Sequence, residues 1–181
     1  MNLPASSFAA LLPLNDGDHL CGSATAAIIL IEYGDYQCVH SKQAHRSIQS
    51  LLPQLEDRLC IVFRHFPQPQ LHPRSLRAAE SAEAAAAQGK FWQMHEQLFA
   101  HQQQLEDSDL VQYADCLGLE IPPFLRGMAE HLHLGRIQAD IESGKRNGVE
   151  KTPTFFVGVR CEETQNLEVL LSSLLEINKR Q

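Results

Sequence analysis

Apolar residues follow two patterns along this chain, continuous runs and a helical repeat. Two runs rich in β-branched residues, at 26–33 (AAIILIEY) and 59–66 (LCIVFRHF), predict strands that are buried on both faces. Between them, apolar residues recur with helical spacing over 44–55, where Pro53 is expected to kink or end the helix. A strand, a helix and a strand in this order predict a βαβ unit with parallel strands.

The middle of the chain shows helical patterns and no strand pattern. The expected helices cover Arg74–Gln88, Phe91–His101, a segment capped by Ser108 that ends at Gly118, a segment opened by Pro122 and Pro123, and a segment that ends near Asn147 and Gly148. These helices predict an all-helical block that follows the βαβ unit.

Strand patterns return near the end of the chain. Residues Thr154–Val159 predict a strand, Arg160–Glu163 a hairpin partner, and Asn166 the N-cap of a last amphipathic helix. The predicted order is therefore β-α-β, several helices, then β-β-α. We expect one α/β domain over residues 1–181 with a helical block inserted in its middle.

Composition and charge narrow the classes of function. The formal charge of −7 argues against nucleic acid, which binds clustered Lys and Arg. The longest apolar run, Ala26–Ile31, is too short to span a bilayer, and the N-terminal segment is a poor secretory signal. We expect a cytoplasmic protein without nucleic-acid or membrane partners, and the sequence leaves its oligomeric state open.

The cysteines and histidines do not predict a metal site. The 5 cysteines are irregularly spaced and include no Cys-x-x-Cys pair. Among the 9 histidines, the His131–His133 pair and His65 with His72 have no carboxylate or cysteine at ligand spacing. We therefore expect neither a disulfide framework nor a bound metal or cofactor.

One cysteine stands where a reactive thiol is expected. In EYGDYQCVHSKQ, Cys38 follows a strand-ending loop at the start of a helix, where free N–H groups and the helix dipole favour a thiolate. His40 could add positive charge and Ser41 could donate a hydrogen bond to the sulfur. The alternative is a purely structural cysteine. Thr152-Pro153 precedes a strand, which is also compatible with an ordinary strand opener.

Together these residues resemble the DsbA-like family of the thioredoxin-like superfamily. The resemblance rests on DHLCGSATAAIILIEYGDYQCVHSKQ, on HPRSLRAAESAEAAAAQGKFWQMHEQLF and on GVEKTPTFF, and it covers about residues 18–177. It implies a thioredoxin-like part at about 18–66 and 149–181, with the helical insertion at about 67–148.

The resemblance also implies roles for individual residues. Cys38 matches the family's nucleophile, His40 the histidine that stabilises the thiolate, and Glu32 the buried acid that assists proton transfer. Pro153 matches the cis-proline beside the thiol, so we expect a cis bond after Thr152. If Glu32 is buried, its pKa should rise. The alternative for Glu32 is a carboxylate that faces water.

Three departures from the family pattern change the expected chemistry. Ser41 stands where the family has its resolving cysteine, Val39 where proline or an aromatic residue is usual, and Lys151 where glycine is common. A hydroxyl cannot resolve a mixed disulfide. We therefore expect Cys38 to act as a single nucleophilic thiol on protein disulfides or glutathione, with glutathione as a possible co-substrate.

The pattern also predicts substrate contacts and leaves alternatives open. Thr152, Pro153 and Val39 are the expected substrate-binding residues. Cys21, in a segment that looks flexible, is a candidate resolving thiol, whereas Cys60 is expected in the core. Two other functions remain compatible with the sequence. One is glutathione conjugation, and the other is a redox-inactive module that binds a peptide or protein.

Overall fold

A computed structural model describes residues 12–55 and 58–159. In chain order the elements are β1 (His19–Cys21), β2 (Ile28–Gly34), α1 (Val39–Leu55), β3 (Leu59–His65), α2 (Ser75–Ala86), α3 (Phe91–Ala100), α4 (Asp107–Cys116), α5 (Ile121–Ala129), α6 (Leu134–Arg146) and β4 (Thr154–Val159). The predicted α/β fold with a helical block between β3 and β4 is confirmed.

The four described strands form one mixed sheet in the order β1-β3-β2-β4. Strands β2 and β3 are parallel, as the βαβ pattern predicts, and β4 lies antiparallel to β2 with Thr154 opposite Tyr33. Strand β1 runs antiparallel to β3 at the edge of the described sheet. Because β2 ends where β4 begins, the chain that leaves β2 meets the chain that enters β4.

Helices cover both faces of this sheet, which explains the continuous apolar runs of its central strands. On one face, side chains of α1 pack on alternate residues of β2 and β3; the buried members are Ile28, Leu30, Ala44, Ile48, Leu51, Leu55, Leu59 and Ile61. On the other face, Ile29, Ile31 and Val62 belong to a second cluster, against which Ile141 of α6 packs.

The inserted helices have a core of their own that reaches the sheet. Helices α2 to α5 enclose residues such as Leu98 and Phe124, and the same cluster includes Phe63 of β3 and Tyr36 from the loop after β2. The insertion therefore packs against the end of the sheet at which β2 and β3 terminate.

Several sequence expectations need correction. Strand β1 was not expected, and Cys21 lies within it instead of in a flexible segment. Ser108 is not the N-cap of α4, because Glu106 holds that position and forms a capping box with Asp109. Helix α1 continues through Pro53 to Leu55, so Pro53 does not end the helix, which was one of its two expected effects. The predicted hairpin partner and last helix lie outside the described residues.

Within residues 12–55 and 58–159, no helix combines the length and the apolar character that crossing a bilayer would require.

Candidate active site

Cys38 lies directly before α1, at the position where free backbone N–H groups point out of the helix. Its own N–H donates to the Asp35 carbonyl over 3.1 Å, and its carbonyl accepts from Lys42 N–H over 3.1 Å. Its thiol donates to the Thr152 carbonyl oxygen over 3.2 Å. Cys38 is only 5% exposed, so little of its surface is accessible to solvent.

The loop that faces the Cys38 sulfur is the segment before β4. The Thr152–Pro153 peptide bond is cis, and both residues are buried. The pairing of Thr154 with Tyr33 brings this loop to the end of β2, four residues before the thiol that the helix presents. Antiparallel pairing therefore explains how two segments so distant in the sequence meet at one sulfur.

Asp35 organises the loop between β2 and Cys38. Its carboxylate is buried and accepts from Gln37 N–H at 2.8 Å, Gln68 N–H at 3.0 Å and His72 Nδ1 at 2.8 Å. These bonds join the thiol loop to the segment that follows β3. The sequence pattern identifies Asp35 only as part of a strand break; its two-residue spacing to Gln37 is the signal of an Asx turn.

Gln102, from the helical insertion, holds the same loop from the other side. Its buried amide nitrogen donates to the Tyr36 carbonyl at 2.8 Å and to the Cys38 carbonyl at 2.7 Å. The backbone of Cys38 is thereby tied to the segment after α3. No local sequence pattern marks Gln102, because its role depends on a contact 64 residues away.

Three other residues expected at the site, Ser41, His40 and Val39, differ in how far they are buried. Ser41 is fully buried, and its hydroxyl oxygen accepts from Asp35 N–H at 3.3 Å. That bond uses an oxygen lone pair and leaves the hydroxyl hydrogen available for another acceptor. The hydrogen bond expected from Ser41 to the Cys38 sulfur stays a prediction. His40 is partly exposed in the first turn of α1, and Val39 is 60% exposed beside the thiol.

Glu32 is buried beneath the site, and the expected burial is confirmed. It lies in β2, is 2% exposed, and its Oε1 has no hydrogen-bond partner among the described residues. Burial raises the pKa of Glu32 to about 8. The carboxyl group is therefore mostly protonated near neutral pH, which suits a group that exchanges a proton. Its catalytic role remains a prediction.

Cys21 is placed poorly for resolving a disulfide at Cys38. Cys21 pairs with Ile61 of β3, and Ile61 pairs in turn with Leu30 of β2. Leu30 lies four residues before the end of β2. At about 3.3 Å per residue, that level lies roughly 13 Å from the end of the strand that leads to Cys38. Partial burial, and secondarily the charge of Glu96, also raise the pKa of Cys21.

Two other thiols have simpler environments. Cys60 is buried in β3, as expected for a core residue, and Cys116 is exposed at the end of α4. Cys161 lies outside the described residues.

Five histidines of the described structure pair with carboxylates: His19, His45, His65, His72 and His131. His72 bonds to Asp35, and His131 Nδ1 lies 2.6 Å from Glu80. His65 and His72 bond to different carboxylates, so these two histidines do not form a common metal site. Instead, His65 and His19 both contact Glu83. This three-residue group was not expected from the sequence, because its members come from three different elements.

A thiol at the start of the helix after the central strand, facing a cis-proline loop, defines a thioredoxin-fold protein. A family model described as thioredoxin matches residues 14–176, and the chain belongs to this family. Its fold is that of the DsbA-like proteins, and Cys38 begins a Cys-x-x-Ser motif.

Solved structures with this fold cover nearly the whole chain. A thioredoxin-like oxidoreductase from Silicibacter pomeroyi DSS-3 has a TM-score of 0.72 and 21% identity, covering 92% of this chain and 95% of that one. Wolbachia pipientis alpha-DsbA1 also scores 0.72, with 22% identity over 93% and 92% of the two chains. BdbD from Bacillus subtilis scores 0.69, with 17% identity over 90% and 94%. At this identity the likeness shows the fold.

The relatives with higher identity are much longer proteins, and this chain matches only a part of each one. A Na⁺/H⁺ antiporter NhaA 3 from Salinispora tropica is 38% identical over 161 residues, which are 88% of this chain and 24% of that protein. A Na⁺/H⁺ antiporter NhaA from Herminiimonas arsenicoxydans is 34% identical over 90% of this chain and 26% of its own length. The chain therefore spans only about a quarter of these curated relatives.

The raised pKa of Glu32 predicts a specific pH dependence of stability. Between pH 4.5 and about 8, the unfolded chain has lost this proton while the folded protein keeps it, so stability falls as pH rises. In Glu32→Gln, the free energy of unfolding should therefore fall less steeply with pH, by up to about 1.4 kcal/mol per pH unit. Urea unfolding at pH 5, 7 and 9 measures the free energy of unfolding of both proteins.

Glu142→Gln is the matched control for this measurement, because the side chain of Glu142 is 71% exposed. It should leave the slope of stability against pH unchanged. If Glu32→Gln and the parent protein show parallel slopes, Glu32 does not keep its proton in the folded state.

The hydrogen bonds of Gln102 predict a loss of stability when they are removed. Gln102→Ala leaves the buried carbonyls of Tyr36 and Cys38 without this donor, which should cost about 2–3 kcal/mol. The neighbouring Gln103 is exposed, so Gln103→Ala should change stability by less than about 0.5 kcal/mol. Equal losses in the two variants, measured by urea unfolding, would contradict this account of Gln102.

Proposed function

We propose that this protein catalyses thiol–disulfide exchange through a single cysteine, Cys38. The observation that carries the proposal is the place of Cys38, directly before α1 and facing the cis-proline loop. The helix start offers N–H groups that favour a thiolate, and the loop offers backbone that an extended peptide can pair with.

The first step is attack on a disulfide. The Cys38 thiolate attacks one sulfur of a substrate disulfide, such as a glutathionylated protein thiol. A bond forms between Cys38 and that sulfur, and the other sulfur leaves as a thiolate. When Cys38 is deprotonated, its S–H no longer occupies the Thr152 carbonyl, which becomes free to accept an N–H from the substrate backbone.

The second step needs a thiol from outside the protein, because Ser41 cannot attack a disulfide. A glutathione thiolate attacks the mixed disulfide, takes the glutathionyl group as oxidised glutathione, and releases Cys38 as a thiolate. Glutathione is oxidised and the substrate disulfide is reduced, so the electrons balance. A glutathione pool is available in the cytosol, and a cytoplasmic location remains part of this proposal.

The neighbouring residues have separate roles in this scheme. His40, when protonated, adds a positive charge two residues from the Cys38 thiolate. The hydroxyl group of Ser41 can donate a hydrogen bond to the same sulfur. Glu32, mostly protonated near pH 7, can give its proton to a departing thiolate and is then left as a buried carboxylate. Thr152 and Val39 contact the partner, the first through its backbone and the second through its exposed side chain.

A second function, redox-inactive binding of a peptide, is favoured by two specific observations. Cys38 is 5% exposed, which limits the approach of a disulfide. Its bond to the Thr152 carbonyl stabilises the protonated thiol relative to the thiolate. In this alternative, the loop at Pro153 and the exposed Val39 hold a partner and no sulfur chemistry occurs.

Reaction with oxidised glutathione separates the two functions. If Cys38 is the nucleophile, the protein should take up one glutathione at Cys38 near neutral pH, as read by intact mass and peptide mapping. Cys38→Ser should abolish this adduct. Cys116→Ser is the matched control, because it removes an exposed thiol remote from the proposed chemistry and should leave the Cys38 adduct unchanged.

An adduct that forms equally in Cys38→Ser would show that another thiol is the nucleophile. A protein whose Cys38 stays unmodified, while Cys116 reacts, would support the binding module instead.

Restoring the missing sulfur tests whether the rest of the site still supports dithiol chemistry. Ser41→Cys should form an internal disulfide with Cys38 on oxidation, with loss of both free thiols, and should then oxidise a dithiol peptide. Ser41→Ala is the control, since it removes the hydroxyl without adding a thiol. If the Ser41→Cys protein keeps both thiols free under oxidising conditions, the geometry at position 41 does not suit exchange.

A further inference from the structure

Three side chains from different elements converge where the sheet meets the helical insertion. His19 belongs to β1, His65 ends β3 and Glu83 lies in α2. The Nε2 atoms of His19 and His65 lie 2.7 and 2.8 Å from the same oxygen, Oε1 of Glu83. The three candidate ligand atoms all lie within 4.8 Å of one another.

We propose that His19, His65 and Glu83 form a binding site for a divalent transition-metal ion, with Zn²⁺ as the ion that the ligands suit best. Two imidazole nitrogens and one carboxylate oxygen are a donor set that Zn²⁺ accepts. Ca²⁺ and Mg²⁺ are disfavoured, because they require a cage of oxygen ligands. The proposal does not depend on the thiol chemistry of Cys38.

The position of the cluster favours a bound cation. The three side chains are largely buried, and both imidazole nitrogens are directed at one carboxylate oxygen. The field of a carboxylate is screened less by solvent in such a position than at the surface, so a divalent ion held there would be strongly attracted.

The three ligand atoms, which lie within 4.8 Å of one another, must shift before they can share one ion. Ligand atoms about 2.0–2.1 Å from a tetrahedral Zn²⁺ lie roughly 3.3 Å from one another. The two nitrogens now lie within 2.8 Å of Glu83 Oε1. Each must therefore move away from this oxygen by about half an ångström to place the ion between them.

Apolar neighbours hold both imidazole rings in place. The His19 ring stacks on Phe91 with centroids 3.4 Å apart and an angle of 7° between the planes. The His65 ring meets Tyr36, Phe63 and Phe91 edge to face. These contacts fix the ring planes before an ion arrives, which lowers the cost of forming the site.

The site has one accessible side. The side chain of His19 is 15% exposed, compared with 1% for His65 and 7% for Glu83. An ion can therefore enter past His19, and a water molecule can complete a four-coordinate shell there. The bound ion would join β1, β3 and α2, and so would tie the insertion to the sheet.

Zinc titration of three proteins tests this site. Isothermal calorimetry on alkylated protein, in which accessible thiols cannot bind the ion, should show one Zn²⁺ per chain. His19→Gln keeps a hydrogen-bond donor toward Glu83 but removes a metal ligand, and should weaken binding by more than about 100-fold. His45→Gln is the matched control, because His45 pairs with Glu96 over 3.0 Å without a second histidine on that carboxylate.

Thermal unfolding gives a second measurement. At about a hundred times its dissociation constant, Zn²⁺ should raise the Tm of the parent protein and of His45→Gln by about 5–10 °C. It should not raise the Tm of His19→Gln. Equal binding by all three proteins, or binding by none, would overturn the proposal.

The spectrum of Co²⁺ bound to the unmodified protein tests the ligands without any substitution. A nitrogen and oxygen ligand set should give d–d bands without a sulfur-to-cobalt charge-transfer band. Such a charge-transfer band at substoichiometric Co²⁺ would show that a cysteine holds the ion, and the His19 site would be wrong. This measurement decides the question even if a variant fails to fold.

Discussion

The antiparallel pairing of β4 with β2 is the constraint on which the candidate active site depends. It places the Thr152–Pro153 loop at the end of β2, and the same strand end leads through Asp35 to Cys38. The contact between the Cys38 sulfur and the Thr152 carbonyl follows from this register. A shift by one residue would turn the side chains of β4 to opposite faces and move the loop along the strand.

Around this contact lies the Cys-x-x-Ser motif of a DsbA-like fold. Its Ser41 is fully buried and bonds to the backbone of Asp35. Glu32, buried below without a partner at Oε1, keeps its proton near neutral pH. A buried carboxyl oxygen without a hydrogen-bond partner destabilises the fold, and such groups occur often at functional sites.

The sequence predicted those features whose causes are local. Continuous apolar runs gave β2 and β3, helical spacing gave α1 and α6, and the start and end of β4 were correct. Strand β1 has only three residues, too few for a periodic pattern, and it exists because β3 offers an open edge. Ser108 resembled an N-cap, but the reciprocal bonds of Glu106 and Asp109 begin α4 earlier.

Contacts between distant segments were beyond the reach of sequence patterns. Gln102 is an unremarkable residue in the printed chain, and only the fold brings it to the backbone of Cys38. The meeting of His19 with Glu83, 64 positions apart, is of the same kind. Cys38 itself could be singled out because its position at a helix start is a local property.

The helical insertion is therefore part of the site as well as a cover for one end of the sheet. It supplies Gln102 to the carbonyl of Cys38 and Glu83 to the histidines of β1 and β3. Both contacts are buried polar bonds, whose loss costs more than that of exposed ones. A displacement of the insertion would remove the Gln102 bond to the Cys38 carbonyl, while the Lys42 bond within α1 and the Thr152 contact would remain. The geometry of the thiol is thus set jointly by the sheet and by the helices inserted into it.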